Sequence, residues 1–492
     1  MNNFKPSIAV WEITMGCNMR CKHCGSSCTS SLPGELTTDE ALDLCQQLAS
    51  IGIEVITISG GEPLLRTDWD KIATCLTSLG IQPLIISNGS LVDEDVIKKV
   101  KDSGVASFGI SVDGLHDTHD YMRCAGSFEG ILKALRMLAD NGIHTSVVTT
   151  VNKRNISELA KMKNILIEYG VQSWQLQLAT PMGSFSNHKD ELMIEPRQVK
   201  DIVDFAHEIQ DEIVVYLGDC IGHYSVAEHE VRRKNATDEN AVWQGCPAGK
   251  YSLGILHNGD IVGCNSIRSS DFVEGNIREK TLHQIWSDGF SWNRDFSRKN
   301  LDGFCLDCQY ANYCLGGCPN LRLCLNGSID SNNPYCLYCT GIEAEFNQFS
   351  VTAESFESTS CLLTSAMEKQ NYNLAIMIIE TCLSNYGNLL SGQESYLKDC
   401  LHFAYFHVER YEKAVEICQE ILKGNENNSY ALHGLAIGLF HIGKPEAGLD
   451  ALEKLAKIDM PRMKETVSDI CAAKQLTHSP DVFKSLEILR DQ

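Results

Sequence analysis

The N-terminal half of the chain alternates between short apolar runs rich in β-branched residues and longer stretches whose apolar residues recur at helical spacing. The short runs fall at 8–14, 53–59, 83–87, 106–112, 144–151 and 173–179, with helical stretches such as Thr38–Ile51 and Ile131–Asn141 between them. Strands that alternate with helices predict an α/β fold, a parallel sheet with crossover helices in six units. In such folds the reactive groups stand at the C-terminal ends of the strands and in the loops that follow. The pattern then changes. From about 185 to 240 it is polar and reads as a helical bridge with a charged run at 228–240. Gly254–Val262 reads as two short strands about an Asn258-Gly259 hairpin turn. After about 355 helical periodicity takes over, and proline and clustered cysteine nearly vanish.

Candidate chemistry begins directly after the first apolar run. Cys17, Cys21 and Cys24 follow it at x3 and x2 spacing. Three thiolates in so short a loop suit a soft metal centre, and an iron–sulfur cubane is the usual occupant. A cubane normally takes four cysteines, so a trio implies one iron left open for a small molecule. The alternatives are a zinc site, which usually shows paired Cys-x2-Cys or Cys/His groups, and a redox dithiol, which needs only two cysteines.

The Cys-x3-Cys-x2-Cys loop after a first strand, with Gly60-Gly61-Glu62-Pro63 after a second, resembles the radical S-adenosylmethionine (SAM) enzymes. The resemblance implies a partial (β/α)6 barrel and a four-iron, four-sulfur (4Fe-4S) cluster on Cys17, Cys21 and Cys24. It also implies that SAM chelates the open iron and is cleaved reductively to a 5′-deoxyadenosyl radical that takes hydrogen from the substrate. By the same resemblance Gly60, Gly61, Glu62 and Pro63 meet the SAM amino group. Asn88 follows the third strand; Ser111 and Asp113 lie near the SAM ribose and carboxylate, and Arg123 contacts SAM. Read without the family, Gly-Gly-Glu-Pro is only a turn and Arg123 a surface ion pair. The stretch 176–181, closing the sixth strand, is expected to line the pocket. Cys45 and Cys75 fall in helical apolar patterns and are expected in the core, whereas Cys28 and Cys124 fit no cluster spacing.

A second array starts at Cys246. The pattern Cys246-x12-Gly259-x4-Cys264, then Cys305-x2-Cys308-x5-Cys314-x3-Cys318 with Cys324, Cys336 and Cys339 downstream, resembles the SPASM extension of radical SAM enzymes. That implies two auxiliary 4Fe-4S clusters. Cys246, Cys264 and Cys318 would hold the first, its fourth place open or filled by Cys220. Cys305, Cys308, Cys314 and either Cys336 or Cys339 would hold the second. A pair of structural zinc sites is the alternative, since thiolates serve both metals. Anaerobic sulfatase maturases, which share this architecture, carry an aspartate base after the second motif cysteine. Here Asn265 stands in that place, and an amide takes no proton at neutral pH, so sulfatase maturation by that route is disfavoured.

Composition narrows the partners. With 64 acidic against 42 basic residues the formal net charge is −22, which argues against nucleic acid, since phosphate must be met by Lys and Arg. No apolar run reaches membrane-spanning length, and the start of the chain lacks a basic-then-apolar signal. A cytoplasmic, oxygen-poor location follows as the expectation, and there clustered cysteines among the 22 read as metal ligands. Near the C-terminus Asn371–Ala375, Arg410–Ala414 and Lys444–Ala447 open similar amphipathic runs, their alanines 39 and 33 residues apart. This resembles tetratricopeptide repeats, whose concave faces hold peptides; a helical cap that only stabilises or dimerises the enzyme is the alternative. Some peptide maturases carry a winged-helix recognition module before the first cysteine loop. None precedes Cys17 here, so the repeats are expected to bind the leader peptide.

The expected organisation is 1–215 radical SAM partial barrel, 216–350 bridge and SPASM domain, and 355–492 all-α helical repeats. The expected activity is crosslinking or oxidation of a ribosomally made peptide, with flavodoxin or ferredoxin as electron donor. A protein side-chain or small-molecule oxidase is the alternative, and a zinc-stapled repeat scaffold the non-enzymatic one.

Overall fold

The computed structural model describes residues 4–236, 243–348, 356–386, 392–473 and 480–491. Part of the charged run at 228–240, and the boundary expected at 350–355, lie outside the described residues. The residues divide into two compact units. The first holds the chain up to Leu306 together with Asn312–Thr340, the second Asp307–Ala311 together with the chain from Gly341 onward.

The first unit is built on one ten-stranded sheet. Its parallel part runs β1 (Ile8–Glu12), β2 (Val55–Ser59), β3 (Gln82–Ser87), β4 (Ser107–Ser111), β5 (Thr145–Val151), β6 (Ser173–Leu178) and β7 (Val214–Leu217), each strand beside the next. Six are the strands the apolar runs predict. The seventh, Val-Val-Tyr-Leu, lies in the segment that reads as a helical bridge. A second block, β8 (Ser252–Ile255), β9 (Asp260–Val262) and β10 (Val273–Asn276), continues the same sheet on the other side of β1. β8 and β9 form the expected hairpin about Asn258-Gly259, and β8 pairs in parallel with β1, Ile8 opposite Ser252.

The crossover helices hold because each presents a continuous apolar stripe to the sheet. The first, Thr38–Ile51, begins with a Thr37/Glu40 capping box, stops at left-handed Gly52, and buries Ala41, Leu44, Cys45 and Leu48. Leu44 and Leu48 each contribute about 1.5–3 kcal/mol when fully buried. Trp11, Ile58, Phe108, Ile110, Val147 and Trp174 fill the core beneath it. Cys45 is buried and Cys75 packs partly buried on that core, as their helical positions predict.

The second unit is a run of helices that pair as hairpins, among them Tyr372–Tyr386, Glu394–His407, Tyr411–Gly424, Ser429–His441 and Pro445–Ile458. Ala375 and Ala414 are buried where neighbouring helices approach. The third repeat departs from the expectation. Ala447 is exposed, and the close contact is made by Gly448, where a Cβ would lie 2.6 Å from ring atoms of Phe440. The spacing from Ala414 to Gly448 is 34 residues. The short segment Asp307–Ala311 is gripped by these helices. Asn373 accepts from Gln309 N at 3.0 Å and donates to the Asp307 carbonyl at 2.8 Å, and Arg410 and Lys413 pair with the Asp307 carboxylate. No helix among the described residues is long and apolar enough to cross a membrane.

Candidate functional site

The cysteine loop leaves the C-terminal end of β1 and is held by the turn after β2. Gly61 N donates to the Thr14 carbonyl and Glu62 N to the Gly16 carbonyl, each at 2.8 Å. The approach is too close for side chains: a Cβ on Gly61 would sit 2.1 Å from the Gly16 oxygen, and one on Gly60, whose φ is 146°, 2.4 Å from the Thr14 oxygen. The two glycines therefore brace the backbone that carries Cys17. Pro63, itself buried, opens a turn of 3-10 helix. Glu62 is fully buried, and its carboxylate accepts from Ser87 Oγ and Asn88 N, both at 2.8 Å, while burial raises its pKa. Asn88 Nδ2 in turn donates to Asn18 inside the cysteine loop at 2.8 Å.

Beneath the loop lies an ion network. Asp113, fully buried just past β4, accepts from Arg123 Nε at 2.5 Å, His23 Nε2 at 3.1 Å and Thr150 N at 2.8 Å. Burial alone would raise its pKa, but the Arg123 and His23 charges hold it well below the usual carboxylate range. Arg123 Nη1 lies 3.8 Å from Cys21 Sγ and Nη2 3.5 Å from His23 Nε2. Burial pushes the Cys21 thiol up to about 11 against the pull of Arg123, and burial raises Cys17. Cys24 is depressed because the buried Cys28 thiol donates to it. Ser111, the last residue of β4, is buried nearby. A cation set beside three thiols in one loop suits an anionic cluster.

Residues that spacing did not reveal complete this frame. His23 lies between two of the cysteines. Glu12, at the end of β1, takes both guanidinium nitrogens of Arg268 and the Ser26 hydroxyl, joining the cysteine loop to the segment after β9. Past β6, Ser184 N donates to the Cys24 carbonyl at 2.9 Å, so the segment after the sixth strand closes over the loop. Exposed Cys124 takes no part.

The second array collects below β8 and β9. Cys246 and Cys264 lie close to one another and to Cys318, the N-cap residue of the helix Pro319–Asn326; burial drives Cys246 up to about 12 and raises the other two. Cys305 neighbours Cys336, which burial also raises to about 12, and Cys339 N donates to the Cys336 thiol. Cys314 and Cys339 are buried in the same unit, whereas Cys308 rides on the Asp307–Ala311 segment of the other. Asn265 donates to the Ile255 carbonyl at 3.1 Å, so its amide braces the hairpin. A single zinc ion draws its thiolates to about 2.3 Å from one point. Among the described residues no three His, Cys, Asp or Glu side chains converge that way, whereas a cubane spreads its thiolates over four corner irons.

Residues 11–166 match the radical SAM superfamily and residues 246–309 the iron–sulfur cluster-binding SPASM domain. The chain is 31% identical over 347 residues to the AdoMet-dependent heme synthase of Methanosarcina barkeri strain Fusaro, a match covering 68% of this chain and 97% of that protein. The chain belongs to the radical SAM superfamily. This radical SAM enzyme is also 25% identical to the mycofactocin maturase MftC of Mycolicibacterium smegmatis, over 69% of its own length and 84% of that protein. Its fold resembles that of Streptococcus suis SuiB bound to S-adenosylmethionine, with a TM-score of 0.56 at 18% identity over 67% of this chain and 76% of that one. A second likeness is to anSMEcpe with bound AdoMet and a peptide, at TM-score 0.54 and 16% identity over 69% of this chain and 95% of that one.

The enzyme's cofactors are accordingly SAM, a SAM-binding 4Fe-4S cluster and auxiliary iron–sulfur clusters. When bound, cluster and SAM together supply one-electron cleavage of SAM to a carbon radical. The protein's own part is to fix the thiols with the Gly60-Gly61 turn, to set positive charge beside them through Arg123, and to hold Arg123 with Asp113.

Proposed function

We propose that this radical SAM/SPASM enzyme oxidises or crosslinks a ribosomally made peptide. In this reading Cys17, Cys21 and Cys24 hold the catalytic cluster, the backbone of 60–63 with Asn88 and Ser111 positions SAM, and Asp113 positions Arg123 beside it. The observation that carries the peptide reading is the helical unit. The heme synthase relative is almost wholly covered by 68% of this chain, so this chain has a surplus segment that the relative lacks. On the helix Glu394–His407, Tyr396, Phe403 and His407 lie along one face, and Tyr396 and Phe403 are each nearly half exposed. Tyr372 stacks on His407 with ring centroids 4.4 Å apart. An exposed aromatic stripe on helical hairpins is suited to hold the apolar side chains of an extended or helical peptide.

A second reading, an iron porphyrin substrate, is favoured by the 31% identity to the heme synthase. The test compares substrate-dependent formation of 5′-deoxyadenosine by the anaerobically reconstituted enzyme with two substrates. One is a peptide encoded beside the gene and the other is iron coproporphyrin III. Turnover of the peptide, weakened by Tyr396→Ala/Phe403→Ala with basal SAM cleavage intact, supports the first reading. Turnover of the porphyrin alone replaces it with the second.

A further inference from the structure

Cys220 lies just past β7, in a turn closed by Ile221 N donating to the Gly218 carbonyl at 2.9 Å. Its sulfur accepts the backbone N–H of Leu178, at the end of β6, at 3.3 Å. The residues that follow pin the turn in place. Gly222 bridges to Cys336, and the His223 ring packs on Gly317, where a Cβ would come within 2.7 Å of Nε2. Gly317 immediately precedes Cys318. On the other side, Gly245 packs against the Cys314 carbonyl, which brings Cys246 to the same loop. The charges of Cys220, Cys246 and Cys264 all bear on the Cys318 thiol, so the four lie within electrostatic reach of one another.

The four sulfurs share a second trait. Each accepts backbone N–H: Cys220 from Leu178, Cys246 from Ala248, Cys264 from Ser266 and Ile267, and Cys318 from Leu321. Such bonds stabilise cluster thiolates and set their potential. In the core, burial raises Cys382 and Cys418 with no backbone N–H directed at the sulfur, and Cys45 receives its own residue's N–H and none from a neighbouring strand. Hydrogen bonding thus places Cys220 with the cluster ligands and apart from the packing cysteines.

We propose that Cys220 is the fourth thiolate of the first auxiliary cluster, so that Cys220, Cys246, Cys264 and Cys318 close it with no iron left open. The inference rests on the cofactors of the superfamily and is independent of the substrate. A cluster saturated by protein sulfur is closed to a substrate thiolate and is restricted to electron transfer. Two competing donors stand nearby: the Asp219 carboxylate, whose charge bears on Cys220, Cys246 and Cys264, and the His223 ring, which is fully buried with neither nitrogen hydrogen-bonded and packs on Gly317.

The test starts from the full-length Cys17→Ala/Cys21→Ala/Cys24→Ala protein, in which only auxiliary clusters are built. To it are added, separately, Cys220→Ala, Cys220→Ser, Asp219→Asn and His223→Ala. Iron and sulfide per chain are measured after anaerobic reconstitution, with EPR spectra of the reduced proteins with and without 2-mercaptoethanol. The parent, Asp219→Asn and His223→Ala are expected to hold about eight irons and to ignore the added thiol. Cys220→Ala is expected either to hold about four irons or to keep its iron and change spectrum on thiol addition. Cys220→Ser, which keeps the size of the side chain, is expected to shift the spectrum. The proposal is overturned if the parent itself responds to thiol, or if Cys220→Ala keeps the parental iron and a spectrum indifferent to thiol. It is equally overturned if Cys220→Ala loses all its iron while Cys220→Ser keeps the parental spectrum, because Cys220 then acts only in packing.

Discussion

Around Cys17, Cys21 and Cys24 the charge is one closed ion pair, Arg123 with Asp113, whereas around Cys246, Cys264 and Cys318 it comes from separate elements, through Asp219, Lys250 and Arg322; thiols of both regions accept backbone N–H. If Cys17, Cys21 and Cys24 hold the SAM-binding cluster, as proposed, their loop must leave coordination free for a small molecule and orient it, which a buried ion pair does by fixing side-chain directions. An auxiliary cluster on Cys246, Cys264 and Cys318 would need only to be held, and separate charges balance its thiolates without an oriented pair. Burial raises thiols in both regions, Cys21 to about 11 and Cys246 to about 12, whereas Cys24 is depressed by the Cys28 thiol that donates to it.

The contrast breaks most simply at the first loop. Cys17→Ala/Cys21→Ala/Cys24→Ala is expected to abolish SAM cleavage and to remove about four irons per chain while the array keeps its own. Persistent cleavage in an anaerobic 5′-deoxyadenosine assay would refute the assignment of the loop. Next comes the ion network. Arg123→Ala leaves Asp113 buried with one strong partner fewer, and its cost is expected at about 3–5 kcal/mol in urea unfolding. A loss under 1 kcal/mol would mean that water already reaches the pair. Gly61→Ala separates the two regions more finely. The added methyl meets the Gly16 oxygen, so it is expected to cost about 1–3 kcal/mol and to lower iron at the first loop alone. Equal loss from both regions, read by EPR, would contradict the independence of the two.

The smallest expected effect is one of pH. His119 is fully buried, burial pushes its pKa down to about 4, and its Nδ1 accepts the Asp113 N–H at 3.1 Å. The unfolded chain, with an ordinary histidine, binds more protons between about pH 6.5 and 4, so this site loses stability as pH falls through that window. About 1–2 kcal/mol is expected to go by pH 5. His119→Gln is expected to flatten that part of the urea-midpoint profile, and an unchanged slope would show that His119 does not titrate there.

Much of this arrangement is legible in the chain, and the gaps have physical reasons. β1 to β6 announce themselves as apolar runs between helical stretches. β7 does not, because Val-Val-Tyr-Leu is four residues long, with alternate side chains exposed, inside a polar segment. The cysteine loops stand out in the sequence because their spacing is local. His23, Asp113 with Arg123, and Glu12 with Arg268 are pairings across many residues, which leave no local mark. The Ala447 reading fails by one position, since either small residue satisfies the periodicity and only packing on Phe440 selects Gly448. That β8 lies beside β1 is likewise invisible, because neither strand is unusual for its own neighbourhood.

That last pairing bears on how the protein is made. β1 precedes both strands it pairs with, and one of its two edges is covered only by Ser252–Ile255. Until those residues are made, β1 offers an unpaired edge, the kind of surface that recruits foreign strands. The loop that bears Cys17 grows from that same strand. A nascent chain thus carries Cys17, Cys21 and Cys24 long before it has the strand that covers that edge, and its safe maturation depends on how quickly the later residues are delivered.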